Sequence, residues 1–578
     1  MRIARRSLLS GVALLPFVSQ FGFAAARSRS RPGAKTWPSR QQWDTLMADT
    51  GGRLQPVAIP APDTKLLANQ FYLRDQPGLT QISGWAEAWQ SAPSAYVLKA
   101  RDAADVAKAV TFAQRHDLRL VVKGGGHSYV GGSNAPDSLL VWTRGMDAII
   151  LHDGFVPQDS SAAPVPAVSL GAGCVWGEVY DRVVRQAGRY VQGGGCTTVG
   201  VAGLIQGGGF GSFSKAYGVA AASLLEAEIV TADGEVRTVN AVREPDLFWA
   251  LKGGGGGTFG VVTRLTLKTH ALPQNFGAIR FTVQASSDDA FRRLLDRFLH
   301  DYRALMFDDH WGEQVKATPD RRLIVELMFQ GLDEATARRA WQGLADFAAA
   351  DPAYRVIQPL RVIVIPARNY WDADYMGSQY PDSVVRDGRP GASPTNFWWS
   401  GDGAQAGIFW HRLDSLWLPA ALLDEGNRPA LVEAWFAASR HWEIAFHFNK
   451  GLAGADAATL AASRETSINP NVLGAFALAI IGAGGGSLYD GLQKPDMPKA
   501  RANAEKVKLS MDALRAAAPD GGSYLSECDY FIEDWRGAWG ENWQRLDRIK
   551  RRYDPRGLFI IHHGIGSEAW SRDGFTSV

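Results

Sequence analysis

Gly193-Gly194-Gly195-Cys196-Thr197-Thr198-Val199-Gly200, then Gly203, then Gly207-Gly208-Gly209-Phe210-Gly211, is a stretch that neither a core helix nor a core strand tolerates. Each glycine costs backbone entropy on folding and supplies no side chain to pack. A flexible linker would be rich in serine. Here Val199, Val201, Leu204 and Ile205 space the glycines instead. The pattern reads as ordered backbone pressed close to a large flat or anionic ligand. Two further runs flank it. Gly124-Gly125-Gly126-His127-Ser128-Tyr129-Val130-Gly131-Gly132-Ser133 lies upstream, and Gly253 to Gly257 followed by Thr258-Phe259-Gly260-Val261-Val262 lies downstream.

The residues around these runs exclude two common nucleotide folds. Tyr96-Val97-Leu98 reads as a strand, Asp102 caps a helix with Val106, Val110 and Ala113 on its apolar face, and Leu118 to Val122 reads as the next strand. That strand feeds Gly124-Gly125-Gly126-His127, where a Rossmann fold would need a helix at once. Ser133-Asn134-Ala135-Pro136-Asp137 and a strand over Leu139 to Trp142 follow instead. A phosphate loop would need Gly-Lys-Ser/Thr, which these runs lack. Further on, Val175 to Val184 reads as a helix. Leu224 to Thr231 and Val236 to Val239 flank an Asp233-Gly234 turn as a hairpin. Asp246 to Leu251 reads as a short helix and Phe259 to Thr269 as a long strand.

Gly-Gly-His-Ser, Cys-Thr-Thr-Val-Gly-Val-Ala-Gly and Gly-Gly-Gly-Phe-Gly, taken together, resemble the flavin domain of the berberine-bridge-enzyme-like oxidoreductases of the vanillyl-alcohol-oxidase superfamily. The resemblance runs from about Ala95 to His270. It resumes in Trp539-Gly540-Glu541-Asn542-Trp543 and Tyr553-Asp554-Pro555-Arg556-Gly557-Leu558-Phe559. It implies an α+β fold: a two-part PCMH-type FAD-binding domain plus an α+β substrate domain with an antiparallel sheet. It implies FAD bonded twice, from His127 to the flavin 8α carbon and from Cys196 to flavin C6. It places Gly124, Gly125, Gly126, Ser128, Gly131, Gly132, Gly195, Thr197, Thr198, Val199, Gly200, Gly203, Gly208, Gly209, Phe210, Gly260, Val262 and Asn542 along the cofactor. The implied organisation is a targeting segment over 1–26, a lead-in over 27–91, the FAD-binding domain over 92–272, the substrate domain over 273–520 and a returning segment over 521–578.

The chemistry implied is hydride transfer from a CH–OH carbon to the flavin, which needs a positioned base. Family members draw it from a Tyr or Glu. Tyr524, Glu527 and Tyr530 fall where relatives often carry a Tyr-x-Asn-Tyr strand, with Ser526 and Glu527 in place of the Asn and second Tyr. Glu527 is the preferred candidate. Phe210 stands where the family often has a tyrosine, which removes one hydroxyl from that side. The resemblance also implies that Val199, three residues after Cys196, sits beside the flavin carbon that meets O2, where in the family a small side chain goes with oxidase behaviour. A dehydrogenase passing electrons to a quinone or a protein, and a flavin protein without turnover, share these motifs.

A chain of 578 residues exceeds what one core organises. A formal charge of +2 gives no argument for nucleic acid or an anionic membrane. The partners expected are a small alcohol, sugar or aromatic substrate and O2. Trp398-Trp399, Trp410, Trp417, Trp435 and Trp442 either wall such a cleft or, as expected for most of them, pack in the core. Arg5-Arg6-Ser7-Leu8-Leu9, an apolar run from Val12 to Phe23 and Ala24-Ala25-Ala26 read as a twin-arginine signal, with an ordinary secretory signal as the alternative. The apolar run is short for a membrane anchor, so a periplasmic or secreted enzyme is expected. Cys174 and Cys528 remain if Cys196 holds flavin; they pair or stay as thiols. Arg27 to Ser94, broken by Pro38, Pro56, Pro60, Pro62 and Pro77, reads as irregular. Beyond Leu272, strand-like runs (Ile279 to Val283, Leu323 to Phe329, Val362 to Ile365, Ala445 to Phe448) alternate with helical ones (Asp288 to Tyr302, Glu334 to Ala349). His562-His563 reads as structural rather than metal-binding.

Overall fold

The computed structural model describes residues 27–61 and 63–578. The expected targeting segment lies outside them. Three sheets organise the rest. In the first, Tyr96–Lys99 and Arg119–Lys123 run parallel to Ser138–Trp142 between them, and Leu54–Pro56 closes one edge antiparallel. The helix Ala103–Arg115 crosses over this sheet. The Asp102 carboxylate caps it by accepting from the Asp105 amide at 2.9 Å, and Val106, Ala109, Val110 and Ala113 are fully buried.

The second sheet is antiparallel, in the order Val236–Asn240, Leu224–Val230, Val261–Lys268, Val165–Gly171, Ile149–Phe155. Its hairpin turns at Asp233-Gly234, where Gly234 takes φ +81°. The helix expected over Val175 to Val184 stays α-helical only over Trp176–Tyr180 and loosens into a π-helical turn over Asp181–Gln186.

The third sheet has nine strands, antiparallel but for one pair: Tyr354–Pro366, Asn275–Ala285, Arg322–Gln330, Trp311–Ala317, Ile444–His447, Ala475–Gly484, Ile408–Pro419, Ile82–Trp85, Trp89–Gln90. Period-two alternation sorts its two faces. Ile279, Phe281, Val283, Val315, Ala317, Leu323, Val325 and Leu327 pack against the helices Asp288–Leu305, Glu334–Ala350, Arg428–His441 and Met497–Arg515. The other face meets the flavin half. There Gly312 lies so close to the Ser212 carbonyl that a Cβ would fall 1.7 Å from it.

The lead-in is more regular than its prolines suggest. Arg40–Asp49 is a helix with a capping box between Ser39 and Gln42, and Trp43 on it stacks on Tyr96 at 4.0 Å. Ile82–Trp85 leaves the flavin half and pairs parallel to Ile408–Pro419. The lead-in therefore contributes to both halves, because its short elements borrow their partners from distant strands. The returning segment ties back to the third glycine run. Trp539 Nε1 donates to the Gly253 carbonyl (3.1 Å), and buried Lys550 donates to the carbonyls of Thr258 and Phe559 and to Asp554. Cys174 and Cys528 are separate buried thiols. Trp398, Trp417 and Trp435 are buried, as core packing requires. Among the described residues no helix is long and apolar enough to cross a membrane, and no His, Cys, Asp and Glu cluster could hold a metal.

Candidate active site

The glycine runs converge because their backbones touch. A Cβ on Gly125 would fall 2.6 Å from the Gly200 nitrogen and the Thr198 carbonyl, and one on Gly200 would fall 2.7 Å from the Gly125 nitrogen. Gly126, Gly131, Gly208 and Gly209 take positive φ of 68–93°. Gly124 sits in the same half-buried loop, and Ser128 Oγ closes it by accepting from the Gly132 amide at 2.9 Å. Gly256 approaches Gly203 from the third run. Two positions behave differently. A Cβ on Gly195 or Gly203 would meet nothing within 4 Å, so both border open space. Beside Gly255, whose amide donates to the Gln206 carbonyl, buried Gln206 Oε1 has no protein partner.

His127 and Cys196 are half-buried in the first and second of these runs. Thr198 Oγ donates to Gln70 Oε1 (3.1 Å) and so accepts from His127 Nε2 at 2.9 Å. That fixes the tautomer and leaves the lone pair on Nδ1. Burial pushes the imidazole down to about 4, so it is neutral at physiological pH. The Cys196 loop is clamped by the strand Phe397–Trp399. Thr197 Oγ donates to the Phe397 carbonyl (2.5 Å) and Trp399 Nε1 donates to the Gly195 carbonyl (3.0 Å), which brings the Asp402 carboxylate near the Cys196 thiol. Burial, then the Asp402 charge, pushes the thiol well above its usual range. Val199 is half-buried beside this turn.

Facing these loops is a group of polar side chains drawn from four distant parts of the chain. Lys450 Nζ donates to both oxygens of Glu527, at 2.7 and 2.6 Å. Glu313 has φ +67° within its strand. Its parity matches Trp311 and Val315, yet its carboxylate accepts from Ser212 of the flavin half. Such a backbone costs of order 1–3 kcal/mol, and burial pushes this carboxyl up. Tyr129 packs edge-on against Trp410. Burial, then the charge of Glu527, then those of Cys196 and Asp402, raise its hydroxyl. Tyr524 is buried with its ring edge-on to Phe210 at 5.1 Å, and burial, then Glu527, raises its hydroxyl.

Several expected site residues land elsewhere. Ser523 to Tyr530 forms no strand; Leu525–Glu527 is a 3₁₀ turn. Tyr530 is not brought to the Glu527 group. Its ring stacks on His562 at 3.7 Å, and its hydroxyl accepts from Arg572. His562 and His563 both donate to the Tyr530 carbonyl. Phe210 is a packing residue beside Val219, Trp417 and Ile468. Gly260 lies against the Val230 carbonyl and Val262 in the apolar core. Asn542 precedes the helix Trp543–Tyr553 and donates to the Ile468 carbonyl at 2.8 Å. Periodicity gave no sign of Gln70, Tyr129, Glu313, Asp402 or Lys450. Only Tyr129 had a signal, its place two residues after His127 in the first glycine run.

Two domain families match the chain, one described as an FAD binding domain over residues 93–240 and one as berberine and berberine like over residues 523–566. A VAO-type flavoprotein oxidase of Thermothelomyces thermophilus is 30% identical over 491 residues, which is 83% of this chain and 77% of the relative. The chain belongs to the VAO-type FAD-linked oxidoreductases. Solved structures show the same fold. A VAO-type flavoprotein of Myceliophthora thermophila aligns with a TM-score of 0.74 at 23% identity, over 95% of this chain and 99% of that one. The glucooligosaccharide oxidase of Acremonium strictum, whose FAD is described as 6-S-cysteinyl and 8α-N1-histidyl, aligns at 0.66 and 19% identity over 91% and 99%. The expected α+β class and family hold, and this VAO-type protein is an FAD-dependent oxidoreductase. Its residues fit the cofactor: open backbone at Gly195 and Gly203, an unpartnered Gln206 acceptor and a neutral His127.

Proposed function

We propose that this VAO-type enzyme is an exported oxidase that takes hydride from the CH–OH carbon of a small alcohol, sugar or aromatic substrate and passes the electrons to O2. The overall change is R2CHOH + O2 → R2C=O + H2O2. In this reading FAD is held by His127 and Cys196 and, when bound, supplies the hydride acceptor. The observation that carries the reading is the hydrogen-bond chain at His127. Thr198 occupies Nε2 and leaves Nδ1, the ring nitrogen nearer the backbone, as the nucleophile. The oligosaccharide oxidase with N1-histidyl FAD supports both the attachment and a sugar-class substrate.

Glu527 holds the substrate hydroxyl proton as hydride leaves, and Lys450 orients its carboxylate through two hydrogen bonds. Tyr129 and Tyr524 line the same space as neutral donors. Val199 leaves room for O2. The export part rests on Arg5-Arg6 and the apolar run behind them; replacing both arginines by lysine should hold precursor inside the cell. The activity test is a substrate screen on purified protein. The expected result is bleaching of the flavin without O2 and H2O2 release in air. A reduced flavin that persists in air and reacts promptly with a quinone would make it a dehydrogenase.

A further inference from the structure

Cys196 needs more than proximity to bond flavin. A thiolate is the nucleophile, and burial here works against forming one. The groups around the thiol are the carboxylates of Asp402 and Glu313, the ammonium of Lys450, and the phenols of Tyr129 and Tyr180. Lys450 is engaged by Glu527 and Glu313 by Ser212. Asp402 is the charge that acts most strongly on the thiol, and its segment follows the strand whose Phe397 and Trp399 hold the residues on either side of Cys196.

The position of Asp402 is built. It lies in the 3₁₀ segment Ser400–Gln405, which follows the strand clamped to Gly195 and Thr197. Its carbonyl accepts from Gln70 Nε2 at 2.6 Å, and the other end of that amide accepts from Thr198, which holds His127. One side chain from the lead-in thus ties the Asp402 peptide to the His127 hydrogen bond. The carboxylate is also touched by Gln405 Nε2 at 3.3 Å.

We infer that Asp402 is the positioning residue that takes the proton from the Cys196 thiol as its sulfur bonds to flavin C6. The inference rests on the covalent reading proposed above. The step breaks the S–H and C6–H bonds and forms S–C6. The two electrons released reduce O2, so that R–SH + C6–H + O2 gives R–S–C6 + H2O2. Asp402 holds the thiol proton and passes it to solvent.

The test uses full-length His127→Ala, in which Cys196 is the sole tether, with and without Asp402→Asn. Each protein is incubated with FAD in air, and mass spectrometry follows the fraction of Cys196 peptide carrying flavin. Attachment in His127→Ala/Asp402→Asn should be at least about tenfold slower near pH 7, and should climb steadily as pH is raised, because the thiolate fraction grows about tenfold per pH unit below the thiol's pKa. Asp402→Glu should restore much of the rate near neutrality. Equal rates with and without Asp402→Asn would overturn the inference. So would a defect that neither raised pH nor glutamate relieves, since that marks a purely structural residue. A His127→Ala protein that binds FAD but never attaches it would instead remove the covalent reading itself.

Discussion

The two halves of the site are made of opposite materials. On the flavin side the work falls to backbone: three glycine runs packed so closely that Gly125 and Gly200 leave no room for a Cβ. On the sheet side it falls to side chains: Lys450, Glu527, Glu313 and Asp402, carried by elements far apart in sequence. A flat dinucleotide of fixed shape is held by a surface without side chains, which is local in sequence and tolerates little change. The charged groups sit on three short 3₁₀ segments and one strand, and a fold can exchange such side chains without rebuilding itself.

The contrast is broken most severely at Glu527. Glu527→Gln keeps the shape and removes the proton acceptor. Reduction by substrate should slow by ~10²–10⁴-fold with FAD still bound. An unchanged rate in rapid-mixing experiments would move the base to Tyr129 or Tyr524.

On the flavin side, two glycines separate folding from cofactor binding. Gly200→Ala pushes a Cβ into Gly125, so a loss of about 1–3 kcal/mol is expected in urea unfolding. Gly203→Ala, in the helix Val201–Gln206, meets no protein atom. The apoprotein should keep or gain ~0.5–1 kcal/mol, while FAD binding weakens. Equal effects of the two variants would mean that Gly203 does not border the cofactor.

Acid should weaken the flavin half of the apoprotein. His127 and His270 are lowered by burial to about 4, and His562 to about 3, from 6.5. Between 6.5 and those values the unfolded chain binds more protons than the native one. The stability contributed is therefore present above 6.5 and lost as pH falls toward 4. Urea midpoints measured across that window should drop on the acid side; a flat profile would contradict the burial of these rings. A narrower effect, confined to one half-reaction, is expected at Val199. Val199→Leu should slow reoxidation by O2 by about an order of magnitude, equivalent to ~1.4 kcal/mol, with reduction by substrate unchanged. Stopped-flow reoxidation would decide it.

Legibility in the sequence followed the same division. The glycine runs, the Asp102 cap, the Asp233-Gly234 hairpin and the positions of His127 and Cys196 are short-range signals, so they were readable. The strand Ile82–Trp85 was not, because its partner Ile408–Pro419 lies more than three hundred residues away. Lys450 and Asp402 looked like any surface charge until folding set one against Glu527 and the other against Cys196. Tyr530 misled because it shares a short segment with Glu527, and the 3₁₀ turn at Leu525–Glu527 sends the two to different places.

The central claim is that backbone and two tethers hold the flavin. It is tested most directly by precipitating the full-length protein with trichloroacetic acid and reading the flavin spectrum of pellet and supernatant. Wild type, His127→Ala and Cys196→Ala should keep yellow colour in the pellet, and only the double variant should release it all. A wild-type pellet that is colourless, with the flavin free in the supernatant, would contradict the account.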